Sequence, residues 1–74
     1  ILLTATEFDI LLALVKAEGR VLRRGEIIEE IKGEGYHVTE RSIDVQIASL
    51  RKKLGDMGSS IATVWGIGYR YAEE

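Results

Sequence analysis

The chain has 74 residues, 10 of them basic and 12 acidic, with no cysteine and no proline. That size fits one domain over residues 1–74, which would bury only ~60% of its unfolded surface and so needs every apolar stripe for its core. The composition excludes disulfides and thiolate metal sites, and no apolar run approaches the roughly 18 residues that a membrane-spanning helix needs. The N-terminus has no basic region and no small-residue cleavage site, so no signal peptide is expected and the cytoplasm is the expected location. A first residue of Ile rather than Met suggests an excised piece of a longer protein.

Ile1 to Leu3 is a short apolar run, read as the end of a strand. Thr4-Ala5-Thr6-Glu7 has the spacing of a capping box, in which hydroxyl and carboxylate each satisfy a backbone N–H of the first turn. Phe8, Leu11, Leu12 and Val15 then recur at helical spacing. They predict a helix over about 5–17 that buries this face and stops at Gly19. Val21 and Leu22 form a connector or a small strand. Ile27, Ile28 and Ile31 give one face of a shorter second helix, ended by Gly33 and Gly35. Residues 33–38 then form a loop, with His37 as an exposed loop residue.

A third helix begins near Thr39 or Glu40 and runs to Leu54. Ile43, Ile47, Leu50 and Leu54 fall within a ~60° arc and form its buried stripe, while Arg41, Val45, Ala48, Ser49 and Lys52 point the other way. Gly55 to Ser60 reads as a polar loop. Ile61–Trp65 and Tyr69–Tyr71 are β-rich runs flanking Gly66-Ile67-Gly68, which predicts a terminal hairpin. The predicted platform is Phe8, Leu11, Leu12, Val15, Ile27, Ile31, Ile43, Ile47, Leu50, Leu54 and Tyr69.

The net charge is −2, which alone argues weakly against nucleic acid. The distribution argues otherwise. Residues 41–53 carry four cations (Arg41, Arg51, Lys52, Lys53) against Asp44, a local +3 that leaves −5 for the rest. A half-buried helix with a basic end, followed by a hairpin, suits the major groove of DNA. Arg51, Lys52 and Lys53 would neutralise phosphates. Ser42, Val45, Gln46 and Ser49 would face base edges, with Gln46 suited to adenine and Val45 to a thymine methyl. Basic residues near a helix C-terminus also complement the helix dipole. A protein-binding module that exposes Trp65 and Ile67 therefore stays open beside the DNA reading. No Ser/His/Asp grouping, phosphate loop or metal cluster is present, so neither an enzyme nor a cofactor is expected.

Several segments stand together in one order: Leu3-Thr4, Glu7-Phe8, Gly19-Arg20-Val21-Leu22, Arg41-Ser42-Ile43-Asp44-Val45-Gln46-Ile47, Leu50-Arg51-Lys52-Lys53-Leu54 and Thr63-Val64-Trp65-Gly66-Ile67-Gly68-Tyr69-Arg70-Tyr71. Over essentially its whole length the chain resembles the C-terminal effector domain of OmpR/PhoB-type response regulators. The resemblance implies an α+β winged helix-turn-helix fold, with an N-terminal sheet of which only the last strand would be present here. It implies sequence-specific binding of double-stranded DNA for transcription regulation in a two-component system. The partners it implies are a receiver domain in a parent protein and a second copy on direct-repeat half-sites.

The resemblance places Arg41, Ser42, Val45, Gln46 and Arg51 at positions that touch bases or phosphates. Lys32 stands where relatives often have a phosphate-contacting tryptophan, and Trp65 where many have a wing arginine. Thr63 and Arg70 flank Trp65 on the wing. Ala48 and Ser49 occupy positions where some relatives place arginine. Arg23 replaces the usual serine or threonine cap of the second helix and Gly25 follows, so this helix should start less firmly. Loop 33–38 matches the segment that the family uses to touch RNA polymerase, and a plain connector is the alternative.

Overall fold

The computed structural model describes residues 2–31 and 38–72. Lys32, His37 and all of the predicted polymerase loop except Val38 lie outside them. The elements are α1 (Ala5–Lys16), β1 (Leu22–Arg23), α2 (Arg24–Ile31), α3 (Glu40–Leu54), a 3-10 segment (Gly55–Ser60), β2 (Ile61–Val64) and β3 (Gly68–Tyr71). The three strands form one antiparallel sheet in the order β1-β3-β2. Three helices with this sheet make a winged helix-turn-helix. No helix among the described residues is long and apolar enough to cross a membrane.

Local chemistry explains most boundaries. The capping box forms: the Glu7 N–H donates to Thr4 Oγ1 at 3.1 Å and the Thr4 N–H donates to Glu7 Oε1 at 2.8 Å. Past α1 the chain reverses through Glu18 and Gly19, both at positive φ (52° and 88°). The weak start predicted for α2 is supported from three residues on, where Glu26 Oε1 accepts the Arg23 N–H at 2.8 Å. This is half a capping box, with a backbone donor satisfied although no hydroxyl is present. Thr39 caps α3 through the Ser42 N–H, at 3.1 Å.

The core comprises Ile10, Ala13, Leu14, Leu22, Ile27, Ile31, Ile43, Ile47, Leu50, Ile61 and Tyr69. It confirms the predicted face of α3 but corrects that of α1. Phe8, Leu12 and Val15 are 54%, 43% and 42% exposed, whereas Ile10 and Leu14 are fully buried. Apolar residues surround α1 on nearly every side, so spacing did not single out one face. Packing selects Ile10, Ala13, Leu14 and Ala17, at i, i+3, i+4 and i+7, with Glu7 at the edge of the same face. Leu2 and Leu3 do not form the expected strand, and Gly55–Ser60 is a 3-10 segment rather than an open loop. Leu50 has 0% exposure at the centre of the core. Leu50→Ala should therefore lower stability by about 2–5 kcal/mol in a urea titration. A loss below ~1 kcal/mol would mean that this part of the core is not close-packed.

Candidate nucleic-acid interface

The candidate surface is the outer face of α3 with the hairpin beside it. Arg41, Val45, Ala48 and Lys52 recur at i, i+4, i+7 and i+11, which places them within a ~60° arc opposite Ile43, Ile47 and Leu50. All four are exposed, Val45 to 62%. Neither Arg41 nor Lys52 makes an ion pair among the described residues.

Both flanks of α3 are tied down. On one flank Asp44 Oδ1 accepts from Arg24 Nε of α2 at 2.7 Å and from Tyr69 Oη of β3 at 2.6 Å. Arg24, and after it Tyr69, hold the Asp44 carboxyl below the usual carboxylate range. Burial, and then the bond to Asp44, push the Tyr69 phenol above its ordinary value. Arg51 lies on the same side. Its Nε and Nη2 fork onto the Ile61 carbonyl oxygen at 3.0 and 2.8 Å, and Nη2 also donates to Thr63 Oγ1 at 2.7 Å. The Arg24 and Arg51 guanidinium carbons lie 6.0 and 5.7 Å from the Tyr69 ring centroid, within cation–π range.

On the other flank Glu7, 2% exposed, receives Ser49 Oγ on Oε2 at 2.6 Å and Lys53 Nζ on Oε1 at 2.7 Å. With the Thr4 N–H the carboxylate has three donors, shared between its two oxygens: Oε1 takes Thr4 and Lys53, Oε2 takes Ser49. The Lys53 bond first, then Ser49 and the Thr4 backbone, hold the Glu7 pKa at about 2.

The predicted site residues therefore separate. Arg41, Val45 and Lys52 face outward together, with Ser42 and Gln46 half-buried on the α1 side. Ser49 and Lys53 turn toward α1, and Arg51 and Thr63 hold the hairpin against α3. Arg70 Nε donates to the Gly19 carbonyl at 3.0 Å, anchoring β3 to the turn after α1. Trp65 stands 88% exposed at the hairpin tip. There Gly66 takes φ 79° and the Ile67 N–H closes onto the Val64 carbonyl at 2.9 Å. Sequence reasoning missed Glu7, Asp44 and Arg24 as positioning residues. The capping box flagged Glu7, but only for its local bonds.

The family model described as "Transcriptional regulatory protein, C terminal" matches residues 1–71. The chain belongs to this family. It is 43% identical over 72 residues to the atypical response regulator protein ChxR of Chlamydia trachomatis serovar L2, a match covering 97% of this chain and 32% of ChxR. The chain thus spans about a third of the length of the curated relatives it matches. Among solved structures, the DNA-binding domain of the response regulator AdeR, in complex with an intercistronic region, superposes with TM-score 0.81 at 30% identity. That match covers 100% of this chain and 78% of the AdeR chain. The Klebsiella pneumoniae RstA DNA-binding domain, in complex with the RstA box, gives TM-score 0.78 at 33% identity, covering 97% and 74%.

Proposed function

We propose that this winged helix binds double-stranded DNA with sequence preference, as the DNA-binding part of a transcription regulator. One observation carries the reading: α3 presents an outward stripe whose two cations, Arg41 and Lys52, are held on a helix secured along both flanks. Eleven residues of helix separate them by about 16 Å, enough to reach phosphates on both sides of a major groove about 12 Å wide. Arg41 and Lys52 supply sequence-independent affinity. Ser42, Val45 and Gln46 meet base edges. Ser49, Arg51 and Lys53 act first as positioning residues, with unused donors turned to the backbone. Trp65, flanked by Thr63 and Arg70, places the hairpin on the backbone or minor groove, and Lys32 adds a phosphate contact.

The longer relatives support a wider role. The chain serves as one effector module, residues 1–74, of a cytoplasmic two-component regulator with a receiver domain. Two copies occupy direct-repeat half-sites, and loop 33–38 touches RNA polymerase. The activity is binding, without catalysis.

Fluorescence anisotropy with a pool of random duplexes at low salt tests the reading, and saturable binding is expected. Lys52→Ala should weaken binding to every duplex and reduce the slope of log K against log salt by ~1. An unchanged slope would remove Lys52 from the phosphate contacts. No binding to any duplex would instead favour a protein-interaction module, for which the exposed Trp65 and Ile67 are the supporting observation.

A further inference from the structure

We propose that Trp65 enters the minor groove as an apolar wedge, unstacking one base step and bending the duplex away from the hairpin. This rests on the DNA-binding reading above and specifies what the hairpin does to its target. The hairpin tip, Val64-Trp65-Gly66-Ile67-Gly68, contains no charged residue. Trp65 is 88% exposed there, and Ile67 is exposed beside it. The polar side chains that flank the tip are in use: Thr63 Oγ1 accepts from Arg51 Nη2, and Arg70 Nε donates to the Gly19 carbonyl. On the Ile67 side the tip borders a cleft lined by Arg23 and Arg24 but also by Glu26, Glu29 and Glu40. Arg24 is paired with Asp44. This border therefore offers a phosphate no net attraction.

A neutral tip gains nothing from phosphates by ion pairing. An arginine at this position would be drawn to the negative potential of a narrow minor groove, and an indole is not. What a duplex offers an indole is the flat face of a base. In an intact stack that face is covered, and it becomes available only when a step opens, as apolar wedges in the minor groove force it to do. Indole on base then replaces base on base, with any base, since every base has a π-face. Opening is easiest at pyrimidine–purine steps, so the wedge selects TA and CA/TG without a hydrogen bond. A wedge also needs a rigid backing. Gly66 at φ 79° and the Ile67 N–H on the Val64 carbonyl close the turn tightly. Arg51 clamps β2 at Ile61 and Thr63, and β3 is paired along both edges. Trp65 lies two residues, about 7 Å, beyond the clamp on Thr63. Little of the hairpin can yield when the indole meets the stack.

Trp65 is the single tryptophan of the chain, so its own fluorescence reports the contact. The test uses the 74-residue chain and a duplex selected from a random pool by affinity. Saturation should quench most of that fluorescence by stacking on bases. Energy transfer between dyes at the duplex ends should report a bend within the ~20–90° of wedge-bent duplexes. A single mismatch is then moved along the duplex. Under the wedge the step is already loosened, so there a mismatch should tighten binding by about tenfold. Under α3 a mismatch should weaken binding instead. Trp65→Ala, at an exposed turn position, should straighten the duplex and lose the mismatch gain while leaving the salt slope unchanged. Trp65→Phe should keep part of both. Quenching without a bend, a scan in which no mismatch tightens binding, or a bend that survives Trp65→Ala would overturn the wedge. Each of these results leaves the DNA-binding proposal intact. Absence of binding to every duplex overturns both.

Discussion

Glu7→Ala should lower the melting temperature by on the order of 10 °C at neutral pH, although Glu7 is buried and lies off the outward face of α3. The substitution removes the acceptor for the Thr4 N–H, for Ser49 Oγ and for Lys53 Nζ at once. It removes the side-chain half of the α1 capping box, while the N–H of residue 7 still donates to Thr4 Oγ1, and it leaves two side chains of α3 without their partner, a larger loss than that of one neutral hydrogen bond. Glu7→Gln separates the parts. An amide at this position still completes a capping box, so it should retain the first turn of α1 and lose the ion pair, with a smaller drop. Calorimetry of the three proteins checks the order, and a melting temperature unchanged in Glu7→Ala would rule out the link between α1 and α3.

Acid should act on the same contact. The Glu7 carboxyl titrates at about 2 in the folded chain, against an ordinary 4.5. The unfolded chain therefore takes up this proton first as pH falls. The stabilisation is present in full above pH ~5 and disappears as pH drops through the folded value. Asp44, also held low, contributes in the same direction. Glu7→Ala should accordingly flatten the acid limb of stability without abolishing it.

The second large effect is expected at Gly68. Its backbone lies against β1, where Arg23 is its register partner, and a Cβ built there would run into the Leu22 carbonyl oxygen. That neighbour is backbone in a paired strand, so it cannot move aside as a side-chain tip would. Gly68→Ala should force β1 and β3 apart at a cost of about 1–3 kcal/mol, the range for overpacking. It should also tilt the hairpin and weaken duplex binding more than the stability loss alone explains. Urea melts and anisotropy on the same samples check both effects. A variant with parental stability would mean that the two strands do not approach this closely in solution.

These two sites show where the sequence was legible. In α3 the polar residues leave a single apolar stripe, so periodicity gave the helix and its buried face together. In α1 apolar residues crowd all sides, and the inward face depends on what α3 brings opposite it. The Thr4–Glu7 box is a three-residue signal and was readable. The bonds from Glu7 to Ser49 and Lys53 span 42 and 46 residues and leave no local trace. Arg51 reads as a phosphate cation until β2 is known to pass beside it. Gly68 reads as a turn glycine, since the two-residue β1 that makes it indispensable pairs only through the tertiary fold.

The two sets of bonds along α3 have a further consequence for how such a protein changes over time. Residues that fix the orientation of the helix (Asp44, Ser49, Arg51 and Lys53) are distinct from those that face outward. Among the described residues, the side chains of Arg41, Val45, Ala48 and Lys52 are exposed and make no hydrogen bond or ion pair to another element. Exchanging these four should alter partner choice at almost no cost in folding, while equally conservative changes on the flanks disturb the whole assembly. The helix thus behaves as an interchangeable key blank on a fixed shank, and new specificities are accessible by single substitutions that the scaffold tolerates.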